Sequence, residues 1–301
     1  MTDLQGLFVP LVTPFGPGGE VAADALEALA HTVLTDGARG LVALGTTGEP
    51  ATLTPGERAL VLEVCARVCA ERGAPLIVGA GSNATADTRA GLAALPRTAT
   101  AALVPVPYYL RPSADGVVAH FTELAAASRV PLLIYNIPYR TACVLDADTL
   151  VRLAAIPNIA GFKHSVGGVD ATTVELLARV GDRSTVLAGD DRFAPALLAL
   201  GGHGGILAAA HVATAEYAAL VEAWRAGDLG RARALGNALD AVADALFAEP
   251  NPAVAKAVLA AQGRIPTPGL RLPLLPASAT ATERALSALD RLRTATVPAP
   301  R

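Results

Sequence analysis

Eight short apolar runs alternate with longer helical stretches along this chain, and that alternation restricts its fold more than any other feature. The runs cover residues 6–12, 40–45, 75–81, 101–107, 131–137, 159–163, 184–189 and 205–210. Each is rich in Val, Ile and Leu and bounded by Gly or Pro, which is how strands buried on both faces read. Helical patterns fill 22–36, 85–95, 113–128, 146–155, 171–180 and 192–200. A further helix opens on Thr54-Pro55-Gly56-Glu57, a capping box with Pro at its first helical position, and stops at Gly73. Strands alternating with helices predict βα units and a parallel sheet. Eight such units favour a closed (β/α)8 barrel, an α/β fold, over an open doubly wound sheet; no GxGxxG follows the first strand. After the eighth strand, 214–226, 228–247, 252–262 and 281–294 read as helices. The expected division is a catalytic barrel over 1–225 and a helical extension over 226–301, with 297–301 frayed.

Composition narrows the function. Hydrophobic residues make up 52% of the 301 positions and charged residues 17%, which excludes wholesale disorder. The net charge of −3 leaves no basic footprint for nucleic acid. Three cysteines make no disulfide framework, and Cys65 and Cys69, four apart on a helix, read as small core residues. The first residues lack the basic and apolar regions of a signal peptide, and no apolar run approaches the ~18 residues of a membrane span. A soluble cytoplasmic protein is expected.

A barrel of this kind carries its active site at the C-terminal ends of its strands. The second run ends in Gly45-Thr46-Thr47-Gly48-Glu49, the fourth in Pro107-Tyr108-Tyr109, and the fifth in Tyr135-Asn136-Ile137-Pro138-Tyr139-Arg140. The sixth ends in Phe162-Lys163-His164 and the seventh in Gly189-Asp190-Asp191. Of 24 basic residues only Lys163 and Lys256 are lysines, so a lysine closing an apolar strand needs a reason. A neutral lysine amine forms a Schiff base with a ketone; arginine does not. The competing reading is a snorkelling or salt-bridged lysine. Tyr135, at the end of the adjacent strand, suits proton transfer to an imine, or is an ordinary buried tyrosine. The Gly45–Gly48 loop offers amides and two hydroxyls to a carboxylate, or is a simple turn. Arg140 can clamp a second carboxylate, or is a surface arginine. Asp190-Asp191 reads as a cap for the next helix. In Gly201-Gly202-His203-Gly204-Gly205 a backbone role for the glycines outweighs a metal role for the histidine. The remaining histidines show no metal-ligand spacing, so no metal is expected.

These segments, with Gly201-Gly202-His203-Gly204 and Glu249-Pro250-Asn251-Pro252, resemble in order the dihydrodipicolinate synthase/N-acetylneuraminate lyase family. The resemblance covers nearly the whole chain. It implies a class I, Schiff-base lyase that condenses pyruvate with an aldehyde without a cofactor. It also implies a homotetramer built as a dimer of dimers. On that resemblance Lys163 forms the imine, Tyr135 shuttles protons, and Thr46 and Thr47 hold the pyruvate carboxylate, Thr46 also joining the proton relay. Tyr109 is donated to that relay across a dimer interface. Arg140 receives the aldehyde's carboxylate, and Gly189 and Ile206 line the pocket beside the lysine. Within the family the double threonine and Arg140-Thr141 lean towards the synthase, in lysine biosynthesis through diaminopimelate. The alternatives are another pyruvate-dependent aldolase or dehydratase of the family, and a non-catalytic keto-acid-binding paralogue. His164 stands where the family usually has an acidic residue, Ala142 where glycine is common, and Pro50 where Ser or Ala is common.

Overall fold

A computed structural model of the chain describes residues 4–296; the expectation for 297–301 lies outside them. Among the described residues there are eight strands: β1 (Gly6–Pro10), β2 (Gly40–Ala43), β3 (Leu76–Gly79), β4 (Ala101–Pro105), β5 (Leu132–Asn136), β6 (Ile159–His164), β7 (Thr185–Ala188) and β8 (Gly204–Ile206). They pair in chain order as a closed barrel, and every pairing between strands for which register is defined is parallel. The helices are α1 (Ala23–Thr35), α2 (Pro55–Arg72), α3 (Thr85–Ala93), α4 (Ala114–Ala127), α5 (Pro138–Thr141), α6 (Ala147–Ala154), α7 (Ala171–Val180), α8 (Ala194–Ala199), α9 (Thr214–Arg225), α10 (Leu229–Leu246), α11 (Ala253–Ala261) and α12 (Ala279–Thr296). The fold is the (β/α)8 barrel with C-terminal helices that the alternation predicts.

The chain groups into two compact units. One comprises Pro75–Ile206 with the chain up to Gly6; the other comprises Leu7–Ala74 and everything from Leu207. In the first, α3, α4, α6 and α7 pack in succession along the outside of the strands. Ser113 caps α4, Asp146 caps α6 and Asp170 caps α7, each side chain accepting from a first-turn amide. Asp190 does not play that part. Its carboxylate accepts from the Ser165 hydroxyl and, at 2.7 Å, from the Gly167 amide, so it ties down the loop after β6. No side chain caps α8, which begins after a 3-10 turn over Asp191–Phe193.

In the second unit α1 packs on α2, and α10 packs against both α9 and α12. The capping box at Thr54 is complete, and Gly73 ends α2 at φ +61°. Cys65 and Cys69 lie with Val61, Val64 and Val68 on the buried face of α2, and burial pushes both thiols up, that of Cys69 to about 12. The eighth strand is shorter than the run 205–210. Ala209–His211 instead curls into a 3-10 turn. The buried His211 ring closes it, with Nδ1 donating to the Ala208 carbonyl at 2.8 Å and Nε2 accepting from the Val12 amide at 3.1 Å.

Candidate active site

In the first unit the site begins with a glycine. Ala160 is an extra residue in β6, and beyond it Gly161 faces Leu133 and Lys163 faces Tyr135. Gly161 stands at φ +153°, and a β-carbon there would lie 1.8 Å from the Thr185 carbonyl oxygen. Only glycine fits a backbone held that close. The bulge thus sets the level at which the lysine meets the tyrosine. The Lys163 Nζ lies 4.3 Å from the centroid of the Tyr135 ring.

Lys163 is 6% exposed and Tyr135 7%. Burial lowers the Lys163 amine to about 8, against the pull of the Asp191 and Asp190 carboxylates, which favour the charged form. An ordinary lysine at neutral pH is almost wholly an ammonium ion. Here a useful fraction is the free amine, the only form with a lone pair to offer a carbonyl carbon. Gly189, directly after β7, leaves the space that the lysine stem fills.

Ile206, the last residue of β8, is fully buried. Arg140 lies on α5 just beyond β5, exposed, with its guanidinium 5.6 Å from the centroid of the Tyr139 ring. Tyr109 is 86% exposed at φ +70°, and Tyr108 and Leu110 are exposed beside it. His164, whose role the residues alone leave open, faces away from Lys163, as alternation along a strand requires. Its Nδ1 accepts from the Asn136 side-chain amide at 3.3 Å, its Nε2 meets the Thr173 hydroxyl at 3.0 Å, and that hydroxyl donates to Asp170 at 2.7 Å. Burial lowers its pKa, so it joins β5 and β6 to α7 as a neutral ring. The Nδ1 of His203 accepts from the Val186 amide, and Gly204 admits the Gly6 carbonyl at a distance no β-carbon allows, which is the backbone role expected of that segment. Among the described residues no group of three or more His, Cys, Asp or Glu side chains is placed to hold a metal.

The second unit contains the threonine loop. Thr46–Gly48 forms a single 3-10 turn flanked by Leu44 at φ +55° and Glu49 at φ +54°. The Gly48 and Glu49 amides close on the carbonyls of Gly45 and Thr46. The Thr46 and Thr47 amides have no acceptor among the described residues. Thr46 is exposed and Thr47 buried. The Thr13 hydroxyl donates to the Gly48 carbonyl at 2.7 Å, and the Asn251 side-chain amide donates to the Thr47 hydroxyl oxygen at 3.0 Å. Behind the loop, Glu49 and Lys256 form a fully buried ion pair of 2.8 Å, and the same ammonium donates to the Thr13 carbonyl at 2.9 Å. It also lies 4.1 Å from the centroid of the Phe15 ring. Asn251, Glu49 and Lys256 were not among the residues the sequence singled out for chemistry. Lys256 had a visible signal, since it is the sole charge in the apolar helix α11, the same anomaly that marks Lys163.

The model of the dihydrodipicolinate synthetase family matches residues 3–292. A 4-hydroxy-tetrahydrodipicolinate synthase of Sorangium cellulosum is 42% identical over 292 residues, 96% of each chain. The crystal structure of a chloride-inhibited dihydrodipicolinate synthase from Acinetobacter baumannii, complexed with pyruvate, superimposes with a TM-score of 0.92. It is 35% identical, over 96% of this chain and 99% of that one. A structure described as the first monomeric dihydrodipicolinate synthase variant gives the same TM-score at 30% identity, over 96% and 97% of the two chains. The chain belongs to the dihydrodipicolinate synthetase family.

Proposed function

We propose that this protein is a 4-hydroxy-tetrahydrodipicolinate synthase, a class I lyase that joins pyruvate to aspartate semialdehyde. The observation that carries the chemistry is Lys163, buried beside Tyr135 with its amine lowered to about 8. The amine attacks the ketone carbon of pyruvate, water leaves, and an imine forms. Loss of a methyl proton gives the enamine, whose carbon bonds to the aldehyde carbon as the aldehyde oxygen takes a proton. The amino group of the aldehyde partner then attacks the imine carbon and displaces the Lys163 amine, closing the ring and freeing the enzyme. The protonated imine is the electron sink, so the scheme calls for no metal or organic cofactor.

The other roles follow the family resemblance. Tyr135, Thr46 and Tyr109 relay protons; Thr46 and Thr47 take the pyruvate carboxylate; Arg140 takes that of the aldehyde; Gly189 and Ile206 shape the cavity. The two Thr amides without acceptors support the carboxylate role, since unused backbone donors in a tight turn attract anions. The exposed position of Tyr109, in a left-handed conformation that costs a non-glycine residue roughly 1–3 kcal/mol, supports its donation to a second subunit. A homotetramer of two dimers is the assembly proposed, and the cytoplasm its place. Among the described residues no helix is long and apolar enough to cross a membrane.

Borohydride reduction with pyruvate is the decisive experiment. A stable adduct on Lys163, and none in Lys163→Arg, is expected. Turnover retained by Lys163→Arg would refute the assignment. Parallel assays with aspartate semialdehyde and with 2-keto-3-deoxy sugar acids identify the aldehyde, and retro-aldol release of pyruvate without turnover of the semialdehyde would favour the sugar-acid branch. Sedimentation of the wild type reports the assembly, and a monomer active at all concentrations would refute the shared relay.

A further inference from the structure

A hydroxyl has one proton to give and two lone pairs to receive. At Thr47 one lone pair is taken, because the Asn251 amide donates to it. The Thr47 proton has no acceptor among the described residues, and the Thr46 and Thr47 amides lie in the same turn without acceptors of their own. These three donors therefore lie on one short loop, and Thr47 itself is only 3% exposed. Unused donors grouped in a tight turn suit an anion.

Asn251 is not needed as a tether. It lies just ahead of Pro252, the N-cap of α11, and the same helix is already fastened to the loop by the Lys256–Glu49 ion pair. The distinctive effect of the amide is on the hydroxyl: an NH2 group here makes Thr47 a donor, whereas a carboxylate would make it spend its proton inwards. We propose that Asn251 is a positioning residue for the keto-acid carboxylate, holding the Thr47 hydroxyl with its proton turned to the anion. The proposal rests on the assignment of Thr47 to that carboxylate.

The test measures borohydride trapping on the full chain as a function of pyruvate concentration, for wild type, Asn251→Asp and Asn251→Ala. Asn251→Asp both accepts the Thr47 proton and adds a like charge, and the half-saturating pyruvate concentration should rise about tenfold or more. Asn251→Ala frees the hydroxyl to rotate and should raise it about threefold. Trapping at saturating pyruvate should match the wild type in both. A role confined to holding α11 would instead lower the melting temperature and leave half-saturation unchanged. Half-saturation within twofold of wild type in a folded variant overturns the inference, and Asn251→Ala decides alone should Asn251→Asp fail to fold. A wild type that traps no pyruvate would overturn the Schiff-base reading itself, and this inference with it.

Discussion

A β-carbon at position 189 would stand 2.9 Å from Cε and 3.0 Å from Cγ of Lys163, so the lysine stem occupies the volume that Gly189 leaves free. The same β-carbon would also stand 2.8 Å from the Ser165 β-carbon, closer than real side chains approach. Gly189→Ala should therefore displace the amine rather than unfold the chain. A displacement near 1 Å costs catalysis about 100-fold. Steady-state kinetics of Gly189→Ala, with a melt to confirm the fold, checks this; activity within threefold of wild type would refute it.

The imine proposed at Lys163 needs its free amine, and burial, which disfavours the ammonium form, lowers that amine to about 8. The initial rate of pyruvate trapping should rise with pH and level off above that value. A midpoint near 10, as in an exposed lysine, would mean that the cavity is wet.

Gly161→Ala places a methyl group on the Thr185 carbonyl and forces an unfavourable φ. Loss of about 3 kcal/mol or more is expected, together with slippage of the register that sets Lys163 against Tyr135. Urea denaturation measures the first and pyruvate trapping the second.

Lys256→Met leaves the Glu49 carboxylate buried without its charge partner, at a cost of about 3–5 kcal/mol. Removing both charges with Lys256→Met and Glu49→Gln should recover much of that stability, because desolvation offsets most of a buried pair's attraction. The double variant should still bind pyruvate more weakly than wild type, since the Lys256 ammonium that holds Thr13, whose hydroxyl in turn holds the Gly48 carbonyl of the threonine turn, is gone. Denaturation midpoints and trapping curves together separate the two effects.

His211 is neutral in the folded chain, its pKa lowered to about 4 first by burial. The unfolded chain binds that proton near pH 6.5. Between those values the unfolded state holds more protons, so stability present above about pH 6.5 is lost as pH falls to about 4, by about 3 kcal/mol. His211→Gln should flatten this part of the pH–stability curve, because its side-chain oxygen can still accept from the Val12 amide.

The barrel was legible because its strands are buried on both faces and its helices carry their own stops. The run 159–163, the capping box at Thr54 and the break at Gly73 all act within a few residues, where sequence neighbours are spatial neighbours. Lys163 stood out for the same reason, as a charge against an apolar strand. Asp190 departs from the expected cap because, although a carboxylate before a helix caps it by default, here the Ser165 hydroxyl and Gly167 amide, more than twenty positions earlier, claim both oxygens.

By itself the sequence determined which segments become strands, where helices start and stop, and which lysine lies at a strand end, since these follow from local propensity and periodicity. Only the tertiary structure decided that the Ala160 bulge brings Lys163 level with Tyr135, that the Asn251 side-chain amide donates to the Thr47 hydroxyl, and that Lys256 pairs with Glu49. Residues 207 positions apart have no local signal of their pairing; burial beyond the reach of water is what makes each group's partner obligatory.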